Sequence, residues 1–415
     1  MVRADEFNTG RMAMRSVKYG PCGHMFDPDL NRAVGQMYER QGYDFMIWSD
    51  QMMLTIPRSL WTPDLAPASE FWDIDTFMDT WPLMTDVAIH TDKIQIGTTV
   101  FDSIRRPPAN MAQLTATLDH YSKGRFFLGM GAGEIKQFAP YGIARSKPFG
   151  HLEESVKIIK LLLDAPDVVN YDGPHWNLRN AVLPLMPYGE KRPPILIAGG
   201  PGRAVDIAAK HADGWITYVP TCGSPEWYAA EVATARRKTE EAGRDPDAMI
   251  FYLLTMNIID ETEAKVERHT HDRIARWDAA AVIPGPNVYQ AWGLGEHPIR
   301  PDYSYPTHLL PTEWSREDAL KIIDKTPPEV VRRARACGTP ESVADQLQAY
   351  IDAVPQSNEV WVNVINYTTF LGSGNFGDPA GQVDLVLETC NHLRKLNGQP
   401  LPTEAPDPIP AAERS

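Results

Sequence analysis

The stretch from Lys93 to Gln137, KIQIGTTVFDSIRRPPANMAQLTATLDHYSKGRFFLGMGAGEIKQ, limits the choice of fold more than any other part of this chain. It reads as a buried strand over Ile94–Val100, a polar loop, a helix opened by Pro107-Pro108, and a second buried strand over Arg125–Met130 that runs out into Gly131-Ala132-Gly133-Glu134. Two apolar strands joined through a helix must lie parallel. A parallel sheet covered on both faces puts its usable polar groups at the carboxyl ends of its strands. Here those ends are Thr98-Thr99-Val100 and the Gly-Ala-Gly-Glu turn, whose small residues let a flat ligand approach the Glu134 carboxylate. The same pattern also suits a carboxylate that only caps or solvates a helix start.

The rest of the chain repeats this rhythm. Ser16–Gly20 and Asp44–Ser49 supply strands one and two, separated by a helix over Pro28–Gln41 with Leu30, Val34, Met37 and Tyr38 on one face. A second helix spans Asp73–His90. Beyond the central unit come a helix over His151–Leu163, an external hairpin over Asp167–Leu185 and the strand-and-glycine segment Pro194–Gly202 leading into a helix over Arg203–His211. A sixth strand at Asp213–Thr217, a helix over Pro225–Ala242, a seventh strand at Phe251–Asn257, a helix over Pro340–Ala353 and an eighth strand at Asn358–Asn366 follow. Eight parallel-type strands alternating with helices specify an α/β fold closed as a single (β/α)8 TIM barrel. Such a barrel needs ~250 residues plus insertions, which 415 residues provide. The expected organisation is a tail over 1–15, a barrel over 16–396 and a tail over 397–415. Within the barrel, Ala279–Lys325 forms an insertion over its mouth.

Charge and cysteine content narrow the function classes. A net charge of −14 without a basic run argues against nucleic acid as a partner. Cys22, Cys222, Cys337 and Cys390 are too scattered for a zinc knuckle or a redox pair, which fits a reducing cytoplasm. No run reaches the ~20 apolar residues of a membrane span, and the first residues lack a signal-peptide core. His269 and His271 diverge on a helix, so a solvated surface is expected there and no metal.

Several side chains are placed for chemistry. Asp50 and Gln51 stand at the mouth of strand two, a better position for function than a helix surface. The loop Met52–Trp72 is rich in Pro, Trp and Met and has the length of a lid. Trp48, Trp61, Trp72 and Trp81 gather around it, chiefly as packing and secondarily as substrate contacts. Gly199, Gly200 and Gly202 at a helix start would cradle a phosphate, or serve only a tight turn.

With these pieces in place the chain resembles the luciferase-like flavin and deazaflavin oxidoreductases, in particular the branch that uses coenzyme F420. The likeness runs from about Val17 to Leu396. It is carried by Trp48-Ser49-Asp50, Gly97-Thr98-Thr99-Val100, Lys123-Gly124-Arg125, Gly129-Met130-Gly131-Ala132-Gly133-Glu134, Ala198-Gly199-Gly200-Pro201 and Cys337-Gly338-Thr339-Pro340-Glu341. The resemblance implies that Asp50 hydrogen-bonds the deazaflavin ring, and that a bulge with a cis peptide at Thr99–Val100 supports it from behind. It further implies that Ala132 and Gln137 border the ring and that Ala198, Gly199 and Gly200 hold the coenzyme's phosphate.

Two departures qualify it. Gln51 stands where most deazaflavin members carry a His, and an amide does not titrate near neutral pH. Pro220-Thr221-Cys222-Gly223 lacks the lysine with which the sugar-phosphate dehydrogenases hold a phosphate, so a bulky apolar substrate is expected instead. The reading is an F420-dependent oxidoreductase that moves a hydride between reduced deazaflavin and a carbonyl, imine or activated C=C. Asp50 and Gln51 orient the ring or acceptor, Glu134 donates the proton, and Trp48, Trp61 and Tyr218 meet the substrate. An FMN-dependent monooxygenase is the alternative, and a non-catalytic coenzyme-binding relative a third. The resemblance implies a homodimer.

Overall fold

Short apolar runs bounded by Gly, Pro and Asp become eight parallel strands in the computed structural model, which describes residues 15–374 and 379–402. They are β1 Val17–Gly20, β2 Phe45–Trp48, β3 Gln95–Thr98, β4 Phe126–Gly131, β5 Ile195–Ala198, β6 Gly214–Tyr218, β7 Ile250–Ile259 and β8 Val360–Asn366. Their order is β1-β8-β7-β6-β5-β4-β3-β2. The circle nearly closes through the residues after β1, where Ile47 donates to the Pro21 carbonyl (3.2 Å) and Gly23 to that of Ile47 (2.7 Å). The expected barrel is present.

Eight helices surround it: α1 Pro28–Arg40, α2 Thr80–Ile89, α3 Pro108–Tyr121, α4 Pro148–Asp164, α5 Arg203–His211, α6 Pro225–Glu241, α7 Pro340–Asp352 and α8 Pro379–Leu396. Asp27, Ser224 and Thr339 cap α1, α6 and α7 through their side chains, each just before a proline in the first turn. Helix α2 starts at Thr80 rather than Asp73, because Asp79 caps it by accepting from the Trp81 N–H while Asp73 pairs with Arg58.

Alternation along the strands decides which side chains fill the barrel. Phe45 and Ile47 point inward, with the Phe45 ring stacked on Trp361 at 5.5 Å and Phe127 edge-on to Trp361 at 4.8 Å. Met46 and Trp48 point outward into the helix layer. Trp48 is therefore no substrate contact: it is fully buried and its Nε1 donates to Asn31 Oδ1 (3.0 Å). Close strand packing also requires glycine at 129, since a Cβ there would sit 1.9 Å from the Thr98 carbonyl oxygen. Gly129→Ala is expected to destabilise the fold by roughly 1–3 kcal/mol, read as a lower midpoint in urea unfolding.

The hairpin pairs Val169–Asp172 with Asn177–Ala181. The insertion is longer than expected, with helices at Arg273–Val282 and Pro328–Ala334 extending past both its edges. It does not pack alone. Ile56, Leu60, Trp61 and Ile74 from the loop after β2 share one apolar cluster with Trp277, Tyr303 and Ile323 of the insertion. Trp61 is spent there, its ring 5.0 Å from Trp72 and its Nε1 donating to the Trp72 carbonyl (3.0 Å).

His269 also departs from expectation. It is buried between Asp260 (2.8 Å) and Ser373 (2.9 Å), while His271 is exposed. Among the described residues no acidic, His or Cys group could hold a metal ion, all four cysteines are free, and no helix is long and apolar enough to cross a membrane. Residues 1–14 and 403–415 of the two expected tails lie outside the described residues. Of the remainder, Arg15 donates to the Ile351 and Val354 carbonyls and Gln399 to that of Val17.

Candidate active site

A cavity of about 280 Å³ opens at the carboxyl ends of the strands. Its back wall is the end of β3. There Gly97 pairs with Phe127 while Phe101 pairs with Met130, so four steps on one strand oppose three on the other and the chain bulges. The Thr99–Val100 peptide within the bulge is cis, as the resemblance implied. The Thr99 N–H donates to the Trp48 carbonyl (2.9 Å) and Ser49 Oγ to the Thr99 carbonyl (3.1 Å), whereas Thr99 Oγ1 is buried with no partner among the described residues.

Beside it, on the neighbouring strand, the wall continues through Gly131-Ala132-Gly133. A Cβ on Gly131 would lie 2.8 Å from Val100 Cγ2 and one on Gly133 2.3 Å from Phe138 Cζ. The far end is Ala198-Gly199-Gly200. Gly199 is already engaged, its N–H donating to the Ile216 carbonyl (3.2 Å) and its own carbonyl accepting from Trp215 Nε1 (2.8 Å). Gly202 opens α5 outside the cavity lining, which corrects the three-glycine cradle to the surroundings of Gly200. Arg145 borders the cavity with its Nε tied to the Gly133 carbonyl (2.9 Å).

The polar groups converge at the mouth. Asp50 is gripped by Arg105 Nη2 (2.8 Å) and by Arg106 Nε and Nη2 (3.1 and 2.9 Å). With three guanidinium donors it is an acceptor with one lone pair to spare, a part that orients rather than moves protons. Glu134 Oε2 pairs with the Lys136 ammonium at 2.9 Å. Lys136 also donates to Gln51 Oε1 (3.1 Å) and the Met53 carbonyl (2.7 Å). Gln137 lines the cavity and also ties its amide to the loop after β2, accepting from Met52 N–H (2.8 Å) and donating to the Met53 carbonyl (2.9 Å).

From above, the insertion contributes Val282, Pro284, Tyr305 and Pro306. Burial, with Glu134 adding to it, pushes the Tyr305 phenol well above its ordinary range. Tyr218 lines the cavity, and its Oη accepts from Arg335 Nη1 (3.0 Å). Arg335 is in turn paired with Asp278.

The structure thus brings Asp50, Gln51, Thr99, Val100, Ala132, Glu134, Gln137, Ala198, Gly199, Gly200 and Tyr218 to one cavity and leaves Trp48, Trp61 and Gly202 out. Sequence reasoning missed Arg105, Arg106 and Lys136. The arginine pair had a signal: two cations just before a helix start oppose the helix dipole and call for a compensating carboxylate. Lys136 had none, because the short 3-10 turn Ile135–Gln137 that folds it back under Glu134 has no pattern of its own.

Comparison with known proteins agrees with this geometry. The sequence description of the family "Luciferase-like monooxygenase" matches residues 10–357. A phthiodiolone/phenolphthiodiolone dimycocerosates ketoreductase of Mycobacterium sp. (strain JLS) is 31% identical over 310 residues, 74% of this chain and 80% of that protein. An F420-dependent secondary alcohol dehydrogenase solved with an F420-acetone adduct superposes with a TM-score of 0.67 at 18% identity, over 92% of this chain and 99% of that one. A riboflavin lyase solved with modified FMN gives 0.64 at 15% identity, over 94% of each. At such identities the two structures speak for the fold alone. By sequence match and by barrel, the chain belongs to the luciferase-like monooxygenase family.

Proposed function

We propose that the protein is an F420-dependent reductase acting on a carbonyl, imine or activated C=C of a bulky hydrophobic molecule. The observation that carries this reading is the Glu134–Lys136 pair at the rim of a slot walled by small residues. Reduction of a carbonyl by hydride needs a proton at the oxygen, and Glu134 lines the cavity as the group to give it.

The residues present fit a planar deazaflavin. Thr99 and Val100 back the cavity with an unpartnered hydroxyl, and the adjoining Gly131-Ala132-Gly133 wall carries no bulky side chain. Asp50, Thr99, Val100 and Ala132 would hold the ring, and Gly200 with Arg145 its phosphate. When bound and reduced, the deazaflavin supplies a hydride. The protein's own share is to fix Asp50 between two guanidiniums, exclude water with Tyr305 and Pro306, and hold a proton at Glu134. The outer wall of Leu254, Val282, Pro284 and Pro306 suits an apolar acceptor. A cavity this small admits only its reactive end, and the remainder must extend past the cap. The ketoreductase relative supports a carbonyl as the acceptor.

Equilibrium binding separates the two coenzymes. The purified protein is expected to bind F420 and, with the reduced form, to bleach or restore its absorbance upon addition of long-chain ketones without consuming oxygen. Tight FMN binding with oxygen uptake and no F420 binding would instead make it an oxygenase. Light scattering is expected to return the mass of a dimer.

A further inference from the structure

We propose that Lys136 is the proton reservoir of the site, recharging Glu134 each time Glu134 gives its proton to substrate. This deepens the reading above and rests on it. The Lys136 side chain is fully buried, whereas that of Glu134 is 31% exposed toward the cavity, so a proton leaving the lysine for the cavity has Glu134 as its way out. Its three N–H groups end on three segments, the Glu134 carboxylate, the Gln51 amide and the Met53 carbonyl.

A purely mechanical role is already filled by another residue. Gln137 Nε2 also donates to the Met53 carbonyl and its Oε1 accepts from Met52 N–H, so the loop after β2 is anchored without the lysine. Placing an ammonium out of water is costly, and a methionine of similar length would pack there at less cost. Gln51 cannot titrate, and burial holds the proton of the Tyr305 phenol, which also hydrogen-bonds Glu134, far more tightly than usual, so Lys136 is the more readily exchanged proton beside Glu134. Burial draws the Lys136 ammonium below the ordinary lysine range; Glu134 opposes that, Arg105 adds to it and Asp75 weakly opposes it.

The step balances. As the acceptor carbon takes a hydride from the reduced coenzyme, its oxygen forms an O–H bond with the Glu134 proton. Glu134 is restored by breaking one Nζ–H bond of Lys136, which becomes a neutral amine and regains its proton by way of Glu134 once product has left and water has entered the cavity.

Two measurements test this. In the coenzyme-free protein carrying 13Cε-lysine, with the Lys136 signal assigned by its loss in K136R, that signal is expected to titrate below the other lysines and lower still in E134Q. A midpoint at or above the other lysines overturns the proposal. In turnover, Lys136→Arg keeps the charge and the reach but releases no proton near neutral pH. It is expected to bind F420 as the wild type does, lose ~10²-fold in kcat and lack the wild type's alkaline limb. Wild-type kcat and pH profile in K136R would show a merely structural lysine and overturn the proposal. If the wild type neither binds nor turns over F420, the coenzyme reading fails, and the titration still decides the fate of Lys136.

Discussion

Glu134→Gln is expected to lower turnover by ~10²–10⁴-fold while leaving F420 affinity nearly unchanged. The amide has the shape of the carboxyl and still accepts from Lys136, so the slot formed by Thr99, Val100 and Gly131 keeps its form. It cannot carry a proton to the acceptor. Stopped-flow loss of reduced deazaflavin absorbance with a ketone, set beside binding by fluorescence quenching, measures the two quantities separately. Equal loss of binding and turnover would mean that Glu134 shapes the coenzyme site rather than the chemistry. Full activity in E134Q would remove it from the mechanism.

Asp278→Ala is expected to cost about 3–5 kcal/mol of stability, because it leaves a buried guanidinium without its carboxylate. Asp278 and Arg335 are 1% and 0% exposed. Asp278 also accepts from Thr55 Oγ1 (2.6 Å), and Arg335 lies over the Tyr367 ring at 4.2 Å. The pair therefore joins the loop after β2, the insertion and the segment before α7. Urea unfolding of D278A checks the magnitude, and the double variant D278L/R335M is expected to recover much of the loss because it leaves no orphaned charge. A single variant as stable as the wild type would mean that the guanidinium finds another partner on truncation.

The barrel was legible because its signals are local. Phe45, Ile47, Phe127 and Trp361 sit in short apolar runs whose length and spacing permit little else, and Asp27, Ser224 and Thr339 mark helix starts in the sequence itself. The strand-end residues of the site followed, since position after a parallel strand fixes where Asp50, Thr99 and Glu134 point. What could not be read depends on parity or on distant contacts. Trp48 lies one residue beyond Ile47 and so faces the helices, a distinction that a four-residue strand buried on both faces conceals. Trp61 turned away because the cluster it joins is completed by Trp277, Tyr303 and Ile323, over 200 residues later in the insertion. Lys136 reads as an ordinary surface lysine until the turn after Glu134 is folded.

The shared apolar cluster of the loop after β2 and the insertion after β7 has a consequence for diversification. Two stretches far apart in the gene compose one cover with a single interior, so neither can be exchanged without exposing the greasy underside of the other. Altered preference at the cavity would then arise by paired drift in both stretches, while the barrel beneath stays as it is.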